Sequence, residues 1–521
     1  MKWFKRIAVI LLVLLLLIPL LDLGINYWIS QKLPGIINEK NNSPYTITYK
    51  DLDISLLNSS ILAKDIYLCP KNAIQNTSIK AGVYAKISRI EVDKFKFWNL
   101  LFSNKIKAKS ITIIKPEIAV YQKNENAINN SKSIQSRIVT PFHKIILVSN
   151  IYLHDGGVRI INTENKRPIL SAINVSLKLE GIAITDDILE QKIPFSYGDY
   201  AFSCDSLYYR PNKFYHVLSK RIETTDKGLV VKKFEMLPEH TRHEFVNIIE
   251  KEKDIYTLKT DEINIQNIQW GFDKTEHFFF HTEAIELNKA SANIYRPKMP
   301  PDDLSKKPLY NKLLREIPFH LKVDTLKIRN SLLEYEEEKT FEKGAGLLSF
   351  NRFNLTATNI CSGFHRTKMK DLTINVNCHF MNISPLKVNW TLNVLDKTDG
   401  FHIKGTINDF PAERLTPFIK PYMNITAKGM LEEVHFNFNG NDKISTGNFA
   451  INYDDLKFTI YRQNNPKKKN KFLSAIASIF VKKDTEEKVK YTEVEVERIP
   501  EKSFYNFLWR SIAEGLKKLL V

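Results

Sequence analysis

A mainly β protein held to a membrane by one N-terminal helix is the fold class this sequence predicts, and three observations predict it. An unbroken apolar run, Ile7 to Leu21, opens the chain. After it, helical periodicity is rare, and apolar and polar residues alternate with period two through most of the length, the pattern of half-buried strands. Near the C-terminus helical spacing returns in a basic, amphipathic segment. The expected architecture is an N-terminal transmembrane helix, an elongated repeat-built β-sheet groove, and a C-terminal amphipathic helix.

The anchor is justified by length and by its flanks. The apolar character of Ile7–Leu21 continues past Asp22 through Leu23, Ile25 and Ile29. From Trp3 to Trp28 a helix extends roughly 37 Å, enough to span a bilayer's hydrocarbon and part of its headgroups. Trp3 and Phe4 at one end, and Tyr27 and Trp28 at the other, are placed as interfacial aromatics. Lys2, Lys5 and Arg6 precede the run, so residues 1–6 are expected to stay cytoplasmic and the body to cross. We read 7–29 as the anchor. A cleaved signal peptide is the alternative, but the residues around Asp22–Gly24 make a poor cleavage site.

The body, residues 30–465, carries enough apolar residues for a large core: 43% of the 521 residues are hydrophobic and 11% aromatic. The formal net charge of +18 points to an anionic membrane surface or to simple solubility. The lysines are spread rather than gathered into a stripe, and an anchored body is far from nucleic acid, so no nucleic-acid partner is expected. Four cysteines, Cys69, Cys204, Cys361 and Cys378, include no CxxC pair. Cys361 and Cys378 read either as a disulfide or as two inert buried thiols.

Within the body one spacing recurs. Ile111 and Ile113 alternate with polar residues, Lys115-Pro116 reads as a turn, and Ile118 and Val120 alternate again. This predicts strand, turn, strand. The same spacing returns at Ile151, Leu153, Val158 and Ile160, at Ile285, Leu287, Ala292 and Ile294, and at Leu326, Ile328, Leu333 and Tyr335. Weaker copies start at Ile54 and Ile451. The copies also share an order. The unit at Ile111 is followed by Pro141-Phe142-His143, the unit at Ile151 and Leu170-Ser171-Ala172. The unit at Ile285 is followed by Pro318-Phe319-His320, the unit at Leu326 and Leu348-Ser349-Phe350. We read an internal duplication of about 105–185 and 280–360.

Strands with one apolar face must cover it. They can pack on a second sheet, close into a barrel or fold into a trough. With few helices available and too many strands for one sandwich or small barrel, the expectation is a trough lined by Ile111, Ile113, Ile118, Val120, Ile151, Leu153, Ile285, Leu287, Leu326 and Ile328, a lining suited to acyl chains.

Taken together, the anchor, the amphipathic INYWISQKLPGIINEK after it, the alternating YTITYKDLDISLLNSSILAKDIYL, the ITIIKPEIAVY unit, and the late AERLTPFIKPYMNITAKGMLEEVHFNFNGN and GNFAINYDDLKFTIY resemble the AsmA-like family of bacterial envelope proteins, relatives of the TamB-type repeating β-groove proteins. The likeness spans nearly the whole chain through degenerate motifs. It implies a single-pass bacterial inner-membrane protein with its body in the periplasm. It also implies a hydrophobic β-groove, a role in phospholipid transport and outer-membrane homeostasis, and no catalytic residues. A non-enzymatic scaffold or assembly factor that binds other envelope proteins is the alternative.

Candidate chemistry is sparse. His277 and His281 share a strand face, and His240 and His243 lie close in sequence, but metal sites need three or four converging ligands. Cys361, His365, Cys378 and His379 match no familiar zinc spacing. Asp302-Asp303 and Asp454-Asp455 read as turn residues. Without a nucleophile, base and orienter set no enzyme is expected, and no cofactor or metal. In the C-terminal region, 466–521, Phe504, Phe507, Leu508, Ile512 and Leu516 fall at helical spacing with Lys517 and Lys518 beside them. Such a helix either lies on a membrane surface or caps the β body.

Overall fold

The computed structural model describes Tyr27 and residues 45–71, 81–97, 99, 105–122, 145–184, 196–225, 227–462, 465–469 and 488–520. The anchor at 7–29, apart from Tyr27, and its markers Trp3, Ile7, Leu21 and Trp28 lie outside the described residues. Among the described residues no helix is long and apolar enough to cross a membrane. The chain divides into two units, Met1–Thr225 and Asp226–Val521.

The first unit is all strand: β1 (Tyr45–Thr48), β2 (Asp51–Ser55), β3 (Ser60–Pro70), β4 (Gly82–Asp93), β5 (Lys105–Gln122), β6 (Ile145–Asn162), β7 (Pro168–Ile184), β8 (Asp199–Cys204), β9 (Ser206–Tyr209), β10 (Tyr215–Ser219) and β11 (Arg221–Thr225). Most neighbours run antiparallel, but β5 and β6 run parallel, with Ile111 opposite Ile151. β1 and β2 both lie along β3, and β8 and β9 both lie along β7, so each pair behaves as one strand broken midway.

The second unit contains β12 (Gly228–Pro238), α1 (Arg242–Ile248), β13 (Ile255–Gln266), β14 (Gln269–Phe272), β15 (Phe278–Asn288), β16 (Ser291–Pro297), α2 (Tyr310–Arg315), β17 (His320–Glu338) and β18 (Gly346–Cys361). It continues through β19 (Leu372–Phe380), β20 (Ser384–Leu392), β21 (Phe401–Pro411), α3 (Thr416–Met423), β22 (Ile425–Gly440), β23 (Ile444–Arg462), β24 (Asn465–Lys469), β25 (Lys490–Glu497) and α4 (Phe504–Leu520). Here β17 runs parallel to β15 and then to β16. Each of the two segments read as a duplication thus has a parallel pair followed by an antiparallel strand, β7 in one and β18 in the other.

The recurrent spacing has a different meaning from the hairpin expected. Lys115-Pro116 does not turn the chain: β5 runs through it as one strand. The same holds at Asp155 in β6, Asn330 in β17 and Asp455 in β23. β15 and β16 lie in line along the same neighbours, with Lys289 at the join. At each of these places one residue is left-handed: Lys115 (φ 49), Asp155 (φ 55), Lys289 (φ 52), Asn330 (φ 47) and Asp455 (φ 44). Only the copy at Ile54 is a hairpin, joining β2 to β3 with Ile54 opposite Ile61.

Parity gives the reason. In a regular strand, residues five apart face opposite sides of the sheet. A single irregular residue resets that alternation, as a bulge does. Ala172 and Val175 straddle left-handed Asn174 (φ 53) and pack in the same cluster, with Cys204 and Leu207 from the neighbouring strand. The left-handed residues lie roughly level across adjacent strands, and those of β3, β5, β6 and β7 are polar: Asp65 is half-buried, and Lys115, Asp155 and Asn174 are exposed. Side chains bridge this crease. Asn174 Nδ2 donates to Asp205 Oδ2 at 3.0 Å, and Lys233 pairs with Asp261 at 2.7 Å in the second unit. Pro116, which has no N–H to give the ladder, is accommodated at such a break.

The main core belongs to the second unit. Phe438, Phe449 and Ile451 are completely buried, and Val434, Phe436, Val494 and Val496 join them. β25 pairs with β23, with Glu493 opposite Asn448, and α4 completes the core. Among the described residues of the C-terminal region, Val494, Val496, Phe504 and Phe507 are buried in the second unit's core.

Candidate functional site

The expected lining residues of the first unit form lateral rows. One row runs Ile54, Ile61, Val92, Ile111, Ile151 and Leu179, each opposite the next. A second runs Leu52, Ala63, Ile90, Ile113, Leu153, Leu177 and Phe202. Beyond the crease a third runs Leu68, Ala85, Ile118, Val158, Ala172 and Leu207, and a fourth Val83, Val120, Ile160 and Leu170. Backbone pairing sets these rows at the spacing of adjacent strands, about 4.8 Å.

Ile111, Ile113, Ile118, Val120, Ile151 and Leu153 are all half-buried. Ile111 and Ile151 pack on a small cluster of Phe95, Ala108 and Val148, and Leu153 on the cluster of Ala172, Val175 and Cys204. The described residues therefore cover these rows only in part. Sequence reasoning placed Ile54 and Ile61 in a weaker copy of the unit and passed over Ile90 and Val92. The signal was there in the alternation of Ile90 and Val92.

In the second unit Ile285 lies opposite Leu326 and Leu287 opposite Ile328, again half-buried. The row extends to Ile265 on one side and Ala357 on the other. Leu326 already packs on the main core.

The C-terminal helix resolves one alternative. Phe504 and Phe507 are buried in the core, and Leu508, Ile512 and Leu516 pack against it. Phe504 stacks on Trp390, with centroids 4.4 Å apart and planes 4° from parallel. Gly515 lets the helix seat directly on Phe449. Burying each phenylalanine is worth about 1.5–3 kcal/mol, and a bilayer no more apolar than this core gives no gain for leaving it. In the structure these five apolar residues cap the core, the arrangement of the second alternative. Lys517 and Lys518 are exposed, and Lys518 Nζ donates to the Glu493 carbonyl at 3.2 Å. Arg510 Nη1 likewise donates to the Glu497 carbonyl at 2.7 Å.

The remaining candidates have structural surroundings. His277 lies beside His365 and His320 beside Phe364, with ring centroids 5.2 and 4.9 Å apart. Asp273 sits between His277 and His320, 3.9 and 3.5 Å away. The Thr275 hydroxyl and the backbone N–H groups of His277 and Thr275 hydrogen-bond the Asp273 carboxyl and hold it down to about 2. His243 stacks on Phe341. Among the described residues no group of three or more His, Cys, Asp and Glu side chains is arranged to hold a metal ion. Cys361 and Cys378 are separate buried thiols, and burial pushes Cys378 up to about 12. Asp302 pairs with Lys502 at 2.8 Å, and Asp303 pairs with Lys307, so these carboxylates tie loops together.

No protein-family model matches the chain, and no curated protein matches it.

Proposed function

We propose that this protein is tethered in a bacterial inner membrane by residues 7–29 and carries phospholipid acyl chains along a hydrophobic β-groove in the periplasm, in support of outer-membrane homeostasis. The observation that carries this reading is the set of continuous aliphatic rows across the first unit, with Ile111, Ile113, Ile151 and Leu153 half-buried. A sheet face of this kind offers acyl chains the apolar contact that drives their transfer from water, about 0.8 kcal/mol per methylene. The polar outward positions of the same strands keep the other face wet. Lys2, Lys5 and Arg6 support the orientation.

The experiment is photo-crosslinking in cells with a photoreactive amino acid at Ile113 or Leu153. Adducts should be phospholipids, and lipid extraction of the purified full chain should yield phospholipid by mass spectrometry. Adducts to protein alone, with no copurifying lipid, would favour the second reading, a scaffold for envelope proteins. The closed core of the second unit, with Phe438 and Phe449 completely buried, favours that reading for its part of the chain.

A further inference from the structure

The second unit has a polar sheet face opposite its core, and that face is concave. On β19 to β25 alternate residues turn away from the buried side. They align in two lateral rows through the strand pairing. One row is Asn375, Asn389, Lys404, Asn437 and Asn448. The other is Asn377, Lys387, Thr406, His435, Ala450 and Tyr491. All of them line one concavity of about 540 Å³, within the range of small-ligand sites.

Three features separate this surface from an ordinary solvated face. First, its cations are uncommitted. Several lysines on other strands pair with neighbouring acids, as Lys233 does with Asp261, Lys322 with Asp324, Lys327 with Glu286 and Lys457 with Asp455. Lys387 and Lys404 have no ion pair or hydrogen bond among the described residues. The lining contains no carboxylate. The bordering acids are Glu433, which pairs with His435 at 2.5 Å, and Glu493, the cross-strand neighbour of Asn448.

Second, the amides are numerous and only partly satisfied. Asn389 donates to Asn375 at 2.8 Å, and His402 lies 2.6 Å from Asn437. The side chains of Asn377 and Asn448 make no hydrogen bond among the described residues. Each amide offers donors and acceptors together, which matches the vicinal hydroxyls of a sugar. Third, an aromatic ring stands at the rim. Tyr491 is 73% exposed, an unusual cost for an apolar ring, and the residue opposite it is the small Ala450. That leaves room for a sugar ring to pack on the tyrosine face.

We propose that this concavity binds a short acidic oligosaccharide, with Lys387 and Lys404 taking its carboxylates, the asparagines its hydroxyls, and Tyr491 one ring face. Glu493 at the rim accepts further hydroxyls. A nucleic acid fits less well, because two free lysines in a field of amides cannot match one phosphate per nucleotide. The site is independent of the lipid-handling face of the first unit.

The test is isothermal titration of the full chain in a detergent without a sugar headgroup. The probes are trigalacturonic acid, neutral maltotriose and inorganic phosphate. Trigalacturonic acid should bind, with maltotriose about tenfold weaker or more, a difference of about 1.4 kcal/mol, and phosphate weaker still. Binding should weaken with added salt. Replacing both lysines, K387E with K404E, should lower the affinity for the trimer at least about tenfold while the melting temperature is unchanged, and Tyr491→Ala should weaken both sugars. Amide exchange should slow in β20 and β21 when the trimer is added. No heat with the trimer, equal affinity for phosphate, or undiminished binding by the folded double variant would overturn the proposal.

Discussion

Gly515→Ala is the sharpest test of how the C-terminal helix is used, because the two placements of that helix predict opposite signs. In a helix free of the body, or lying on a bilayer, alanine in place of glycine gains about 0.5–1 kcal/mol through lower backbone entropy. In the docked helix a Cβ at this position would sit 2.4 Å from Phe449 Cγ and 2.6 Å from Phe449 Cβ. Those atoms are at the root of a completely buried side chain, so no rotation of the ring removes them. Overpacking of this kind costs about 1–3 kcal/mol. Subtracting the helix gain leaves a net loss centred on about 1 kcal/mol and at most about 2.5 kcal/mol, or a melting temperature lower by about 2 °C and at most about 4 °C for a unit of this size.

Thermal unfolding of the full chain in micelles, followed in the near-ultraviolet, reads the loss. Ala513→Gly is the control for propensity alone and should destabilise by about 1 kcal/mol in either placement. Fluorescence gives an independent readout, since Trp390 stacks on Phe504 and should change emission as the helix loosens. A Gly515→Ala protein that melts at the same temperature or higher would refute the docked cap and return the helix to the membrane surface.

Other expectations follow from single features. Asn174→Val forces a β-branched residue into a left-handed position (φ 53) and removes the bond to Asp205. It should destabilise the first unit by about 1–3 kcal/mol in chemical denaturation, while Asn174→Gly is tolerated; equal effects of the two would remove the crease argument. In folded protein at pH 8, iodoacetamide should modify the half-buried Cys69 before Cys204, Cys361 or Cys378, which are buried and all held above the usual thiol range by burial. Mass spectrometry of the labelled peptides checks the order. The Asp273 carboxyl, held to about 2, should titrate there by carbon NMR. Its folded value lies below the ordinary one near 3.9, so its contribution to stability is present above that pH and is lost as pH falls through about 2. A midpoint near 4 would mean the Thr275 and His277 bonds are absent in solution. A reporter fused after residue 40 should be active only in the periplasm, and activity in the cytoplasm would contradict the anchor.

The legibility of this fold in its sequence differs from element to element. Alternation at Ile111, Ile113, Ile118 and Val120 correctly marked strand residues, because burial of one sheet face leaves that trace in any sequence. The same residues were misread as a hairpin, because a polar Lys115 before Pro116 satisfies the local signals for a turn. What decides between a turn and a left-handed break in a continuous strand is whether the flanking halves pair with each other or with common neighbours. In β5 both halves pair with β4 and β6, a long-range fact with no local signature. The order of the copies carried more than their spacing did, since it held the two segments that each contain a parallel pair. Helical spacing identified α4, but a hydrophobic stripe looks the same whether a core or a bilayer will cover it. Gly515 was a clue within that stripe, as a small residue at a close approach.

The polar rows were legible in the same way and were passed over for the opposite reason. Asn375 and Asn377 alternate with Ile374, Val376 and Cys378, and Asn437 and Asn439 alternate with Phe436 and Phe438. Alternation was scored there for its apolar half, which builds the core, and the other half was counted only as solvent-facing. Yet solvent alone does not require asparagine, which is poorly suited to strands. Lysine, glutamate and threonine serve an exposed strand face better, and this protein uses them on other strands, as in β7 with Lys178 and Glu180. Two strands, β19 with Asn375 and Asn377 and β22 with Asn437 and Asn439, carry asparagine at successive outward positions and give up intrinsic preference at each. Such a concession is expected where the side chains have a partner to recognise. The two faces of the β19–β23 sheet therefore record separate constraints, packing on one side and recognition on the other. The titration with trigalacturonic acid and maltotriose addresses the second without disturbing the first.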